Sequence, residues 1–156
     1  MTARLACVGL VLMGSAAVVR CDSPSASLPD VHLELIGQDT FWIQDTEVNP
    51  GCHYRWVMRA TGSVGASAQL LGGRMLRSLD LAAAPKETFH MWSGETIRPL
   101  FGSSPVFTPG EERESGSYAS VGPDLPPQRI RVEFDYRVHP GGARHVVSRD
   151  FYCLRE

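Results

Sequence analysis

The strictest pattern in the chain lies near its end. From Arg129 to His139, Ile130, Val132, Phe134, Tyr136 and Val138 alternate with Arg129, Arg131, Glu133, Asp135 and Arg137. A period of two over that length predicts an antiparallel strand with one buried and one solvated face. Pro140-Gly141-Gly142-Ala143 follows, and Gly-Gly favours a hairpin because both central residues can take positive φ. The return strand is predicted over Arg144–Leu154. A two-residue Gly141-Gly142 loop sets Tyr136 opposite Val147, Val132 opposite Phe151 and Ile130 opposite Cys153. It also sets Arg149 opposite Phe134 on the buried face, a conflict that a bulge near Arg149 or a longer loop would relieve.

Upstream, Cys52, Tyr54, Trp56 and Met58 alternate with His53, Arg55 and Arg59, predicting one strand over Cys52–Ala60. Val31, Leu33 and Leu35 point inward from Val31–Ile36, and Phe41–Gln44 reads as a short strand. Weaker strands are expected over Leu79–Leu81, Thr88–Trp92, Thr96–Phe101 and Ser117–Val121. Leu70-Leu71-Gly72-Gly73 reads as a hairpin tip or the end of a short helix. Turn signals at Asn49-Pro50-Gly51, Pro109-Gly110-Glu111 and Pro123–Pro127 separate these segments, and no helical pattern of useful length interrupts them. Many short strands with Gly/Pro turns predict an all-β fold, an antiparallel two-sheet sandwich of immunoglobulin-like type over residues 31–156. The cysteine, tryptophan, cysteine layout of antibody domains is not reproduced, because no strand has room to follow Cys153.

The first twenty-one residues follow a different rule. After Arg4, Leu5–Val19 carries no charge, and Arg20-Cys21 leads into Asp22-Ser23-Pro24-Ser25-Ala26-Ser27. The apolar run of about 15 residues falls short of the roughly 20 that a membrane-spanning helix needs. It reads as the core of an export signal over residues 1–21, with a flexible tether over 22–30. This segment of some thirty residues resembles the precursor of a bacterial lipoprotein. The box is Val18-Val19-Arg20-Cys21, with Arg20 where that class carries a small residue. The resemblance implies lipidation of Cys21 and a membrane anchor through it. The competing outcome is cleavage near Ala16 or Ala17 and release as a soluble protein. Either route leads to an exported product that is periplasmic, secreted or an envelope lipoprotein.

Export changes the meaning of the four cysteines. Cys7 lies within the signal and Cys21 at its end, leaving Cys52 and Cys153 in an oxidising compartment, where a disulfide between them is expected. Both lie on apolar faces of their strands. Without Arg4 and Arg20 the chain keeps thirteen basic against seventeen acidic side chains, with no basic block, which argues against nucleic acid as a partner. Thirteen aromatic residues argue for a folded domain.

Candidate chemistry is sparse. Phe89-His90-Met91-Trp92 offers imidazole and thioether ligands for copper(I), with His90 and Met91 as the candidates. On a strand, however, His90 and Trp92 share one face and Met91 takes the other. No Gly-x-Ser-x-Gly elbow and no phosphate-cradling glycine loop occurs. The five histidines are scattered, with His139 and His145 flanking the hairpin tip on opposite faces. Glu111, Glu112 and Glu114 sit in a Pro-Gly turn and read as a solvated loop. Of Trp42, Trp56 and Trp92, Trp42 is the best candidate for exposure, because Phe41 and Ile43 can fill the inner face. The reading is therefore a non-enzymatic binding module without a cofactor, its partner an envelope protein or a glycan. The alternative is a hydrolase or metal-handling protein whose site forms only in three dimensions, with His90, Glu111, Glu112 and His139 as first suspects.

Overall fold

A computed structural model describes residues 29–44, 51–102, 104–115, 118–121 and 125–155. The export signal, Cys21 and most of the tether lie outside the described residues. The strands are β1 (Val31–Gly37), β2 (Thr40–Gln44), β3 (Gly51–Tyr54), β4 (Trp56–Gly62), β5 (Ser67–Ser78), β6 (Glu87–Ser93), β7 (Val106–Phe107), β8 (Glu112–Glu114), β9 (Tyr118–Val121), β10 (Gln128–His139) and β11 (Arg144–Leu154). They form a small sheet in the order β1-β4-β8 and a large curled sheet in the order β6-β5-β10-β11-β2-β3-β9, with β7 added along β5. The fold is all-β with two sheets, as the alternation predicts. The pairs are antiparallel except β2 with β11, which run parallel and so depart from a wholly antiparallel sandwich.

Strand β10 lies between β5 and β11, and its inward residues Ile130, Val132, Phe134, Tyr136 and Val138 are all buried. Opposite them on the small sheet are Val31, Leu33 and Leu35 from β1 and Trp56, Met58 and Ala60 from β4, in one core cluster. Phe134 sits among rings, with Trp92 stacked at 5.5 Å and Phe101 edge-on at 5.5 Å. The Leu33 amide donates to Tyr136 Oη at 3.5 Å, joining the two sheets through a polar contact inside the core.

Five expectations are corrected. The hairpin register is shifted by two residues: Tyr136 faces His145, Phe134 faces Val147, Val132 faces Arg149 and Ile130 faces Phe151, so Cys153 lies opposite Gln128. The loop is longer than Gly141-Gly142, closed by Val138 N–H to the Ala143 carbonyl and Gly142 N–H to the Val138 carbonyl. A shift of two keeps every side chain on its face, so the inward set is unchanged. Next, Cys52–Ala60 is not one strand. It breaks at Arg55, and the chain passes from the large sheet (β3) to the small one (β4) while Cys52, Tyr54, Trp56 and Met58 stay buried. Third, Leu70–Gly73 is neither a turn nor a helix end but the middle of β5. Gly73 is required there because a Cβ would collide with the Phe134 ring. Leu71 is the extra residue of a bulge, since Asp135 pairs with Gly72 and Tyr136 with Leu70. Finally, Leu79–Leu81 is a turn, and Thr96–Phe101 falls in a 3-10 helix, Gly94–Phe101. That helix buries Ile97, Leu100 and Phe101 at spacings of three and four, a pattern that short windows do not separate from a strand.

Candidate functional site

Cys52 on β3 and Cys153 on β11 flank β2, and they form the expected disulfide. Strands two apart in a flat sheet lie about 9–10 Å from one another. The two Cα atoms are 6.1 Å apart, so the sheet curls tightly over β2. The bond clasps the final strand to the early part of the chain.

The chemically suggestive residues do not converge. Met91 points to solvent (68% exposed), while His90 faces inward with its ring edge-on to Trp92 at 4.6 Å. Partial burial pushes the His90 imidazole below its usual pKa. Glu112 is paired with Arg59 on the small sheet, and Glu111 accepts from Arg113 at 2.7 Å and from the Thr108 amide at 2.9 Å. His139 is exposed at the hairpin tip, and His145 stacks on Tyr136 at 5.4 Å. Among the described residues no group of three or more His, Cys, Asp or Glu side chains is placed to hold a metal ion.

What the fold does assemble is the outer face of the large sheet, built by the outward residues of β6, β5, β10, β11 and β2. Register places Met91, Arg74, Glu133 and Ser148 in one row; Ser93, Gly72, Asp135 and Val146 in the next; and Thr88, Leu76, Arg131 and Asp150 on the other side. Arg74 pairs with Glu133 at 2.7 Å. Asp150 accepts from Arg131 at 2.6 Å and from Arg129 at 2.6 Å. Arg131 first, then Arg129, hold the Asp150 carboxyl below the usual carboxylate range against the opposing effect of burial. The same face carries three large exposed apolar side chains: Met91 and Val146 (60% exposed) in adjacent rows toward the hairpin end, and Trp42 (50% exposed) toward the opposite end. Trp42 joins this face because it lies beside Leu154 in the parallel β2–β11 pair. An open depression of about 430 Å³ lies at the bulge, lined by Leu71, Gly72, Asp135, Arg144, His145 and Val146.

Trp42 is exposed as the sequence indicates, with Ile43 buried and Phe41 half-buried beside it. Two arginines were not legible as organisers. Arg149, on the inward face of β11, sends its guanidinium past the core to the end of β1, donating to the Leu35 and Gly37 carbonyls at 3.0 and 2.8 Å and to Asp39 at 2.6 Å. Arg113 donates to the Ser104 and Val106 carbonyls and lies over the Phe107 ring at 4.3 Å, so Glu112–Glu114 is not a loop but an edge strand, β8, with Glu112 and Glu114 exposed as expected. The only signal for Arg149 was its wrong parity in an otherwise apolar row. The chain matches no protein-family model and no curated protein.

Proposed function

We propose that the protein is an exported binding module of the cell envelope that presents the outer face of its large sheet to a partner protein. The observation that carries this reading is the exposure of Met91 and Val146 in adjacent rows of that face beside the fixed Arg74–Glu133 pair, with Trp42 exposed farther along the same face. Protein-binding surfaces combine exposed aromatic residues, Met and Arg in this way. The Leu5–Val19 run and the Cys52–Cys153 bond support export, because a disulfide persists outside the reducing cytosol. The chain is then tethered through a lipid on Cys21 or released after cleavage near Ala16 or Ala17.

An immunoglobulin-like assignment is part of the proposal. With β1, β4, β5, β6, β8, β10 and β11 as strands A, B, C, C′, E, F and G, the sheets read A-B-E and C′-C-F-G, an order that matches that fold, and the face in question is the C′CFG face. The departures are the curl beyond β11 and the position of the disulfide.

The test is site-specific photocrosslinking in the native envelope, with the reactive group at position 91, 146 or 64. Val64 is 97% exposed on the turn between β4 and β5 and serves as the control. Positions 91 and 146 are expected to give one common protein adduct, lost from position 91 with Val146→Glu and lost from position 146 with Met91→Glu. Equal labelling from all three positions, or a glycan adduct, overturns the protein-partner reading. Intact mass and fractionation of the native product, with Cys21→Ala as comparison, decide between tether and release.

A further inference from the structure

Eight of the fifteen basic side chains in the sequence are arginines that pair with a carboxylate: Arg55 with Glu114, Arg59 with Glu112, Arg74 with Glu133, Arg77 with Glu87, Arg113 with Glu111, Arg129 and Arg131 with Asp150, and Arg149 with Asp39.

 Arg137 and Arg144 break this pattern. They stand directly opposite one another across β10 and β11 on the outer face, and among the described residues neither side chain has a hydrogen bond or ion pair. Like charges directly opposed on a sheet destabilise it. Gln69 of β5 extends the same row beside Arg137. One row along, Asp135 and Val146 line the depression together with Arg144, and no ion pair joins Asp135 to Arg144.

We propose that this row takes a carboxylate of the partner protein between Arg137 and Arg144, while an apolar side chain two residues away in the same segment enters the depression against Leu71, Gly72 and Val146. The inference rests on the binding-module reading and names the chemistry of its partner. Two arginines with parallel N–H donors suit a carboxylate in bidentate geometry. Adjacent same-face rows lie about 7 Å apart, which is also the spacing of residues i and i+2 in an extended peptide. The segment recognised is therefore acidic, any residue, apolar, in extended form.

The test uses the full folded domain and the blocked heptapeptide Ser-Gly-Glu-Ser-Leu-Gly-Ser, followed by NMR through the arginine side-chain Nε–H signals at low salt. The Arg137 and Arg144 signals are expected to shift first, with binding weakened at least fivefold when Glu is replaced by Gln or when Leu is moved next to Glu. Arg137→Gln and Arg144→Gln are expected to abolish the response while leaving the melting temperature unchanged or higher. Shifts shared by all arginines, a response to inorganic phosphate or polygalacturonate but not to the peptide, or a melting temperature lowered by either variant overturns the proposal. Loss of the peptide response while the adducts from positions 91 and 146 persist removes this inference and leaves the binding module standing.

Discussion

Replacing Gly73 with Ala tests the packing at the centre of the large sheet. A Cβ at this position meets the Phe134 ring and comes within 3.0 Å of the Glu133 carbonyl oxygen. Over-packing of this kind costs about 1–3 kcal/mol, offset by about 0.4–1 kcal/mol from the stiffer unfolded chain. Phe134→Ala alone removes a fully buried ring with stacked and edge-on partners and is expected to cost about 3–5 kcal/mol. In the double variant the ring is gone, so the added methyl fills part of the space it left and only the carbonyl contact remains. The two costs therefore do not add: the double variant is expected to be about 1–2 kcal/mol more stable than their sum. Urea unfolding of the oxidised protein, with all four members of the cycle measured in one buffer, reads this directly. Additivity within about 0.5 kcal/mol refutes the contact, because independent sites behave that way.

Cys153→Ser opens the Cys52–Cys153 link across a sequence separation of 101 and is expected to cost about 2–5 kcal/mol; an identical melting curve with and without reductant would rule out the bond. Arg149→Ala leaves the Leu35 and Gly37 carbonyls without their donor and is expected to cost about 1–3 kcal/mol, with Arg149→Lys recovering little because an ammonium lacks the fork that reaches both; full rescue by Lys in urea unfolding would contradict this. The Asp150 carboxyl titrates lower when folded than when unfolded, so its contribution is present above the unfolded pKa of about 3.9 and is lost as pH falls through the folded value. Asp150→Asn is expected to flatten the acid limb of stability below about pH 4; an unchanged limb in a pH series of melting curves would show that Arg131 and Arg129 do not perturb it.

The parts of the fold that the sequence disclosed are those fixed by a local period. Val31–Ile36 and Arg129–His139 carry their alternation on consecutive residues, so their inward faces followed without knowledge of the partner strands. The parity of Cys52 and Cys153 likewise placed both thiols inward. The hairpin register did not follow, because it depends on how the Pro140–Ala143 loop closes, and a shift of two residues leaves the pattern unchanged. The bulge at Leu71 and the mid-strand glycine pair were misread because Gly-Gly signals a turn unless a ring from another strand, here Phe134, occupies the space.

The outer-face site was legible only in fragments. Trp42 stood out from its flanking residues, but Met91 and Val146 looked like ordinary strand positions. Their shared face, and the opposition of Arg137 to Arg144, exist only because β6, β5, β10, β11 and β2 lie side by side. Sequence alone determined which side of β1, β4 and β10 is apolar, since that is set by neighbours two residues apart. Tertiary structure decided which strands meet, where β3 passes into β4 and which charges find partners, because those depend on contacts between residues far apart in the chain, whose closure no local period encodes.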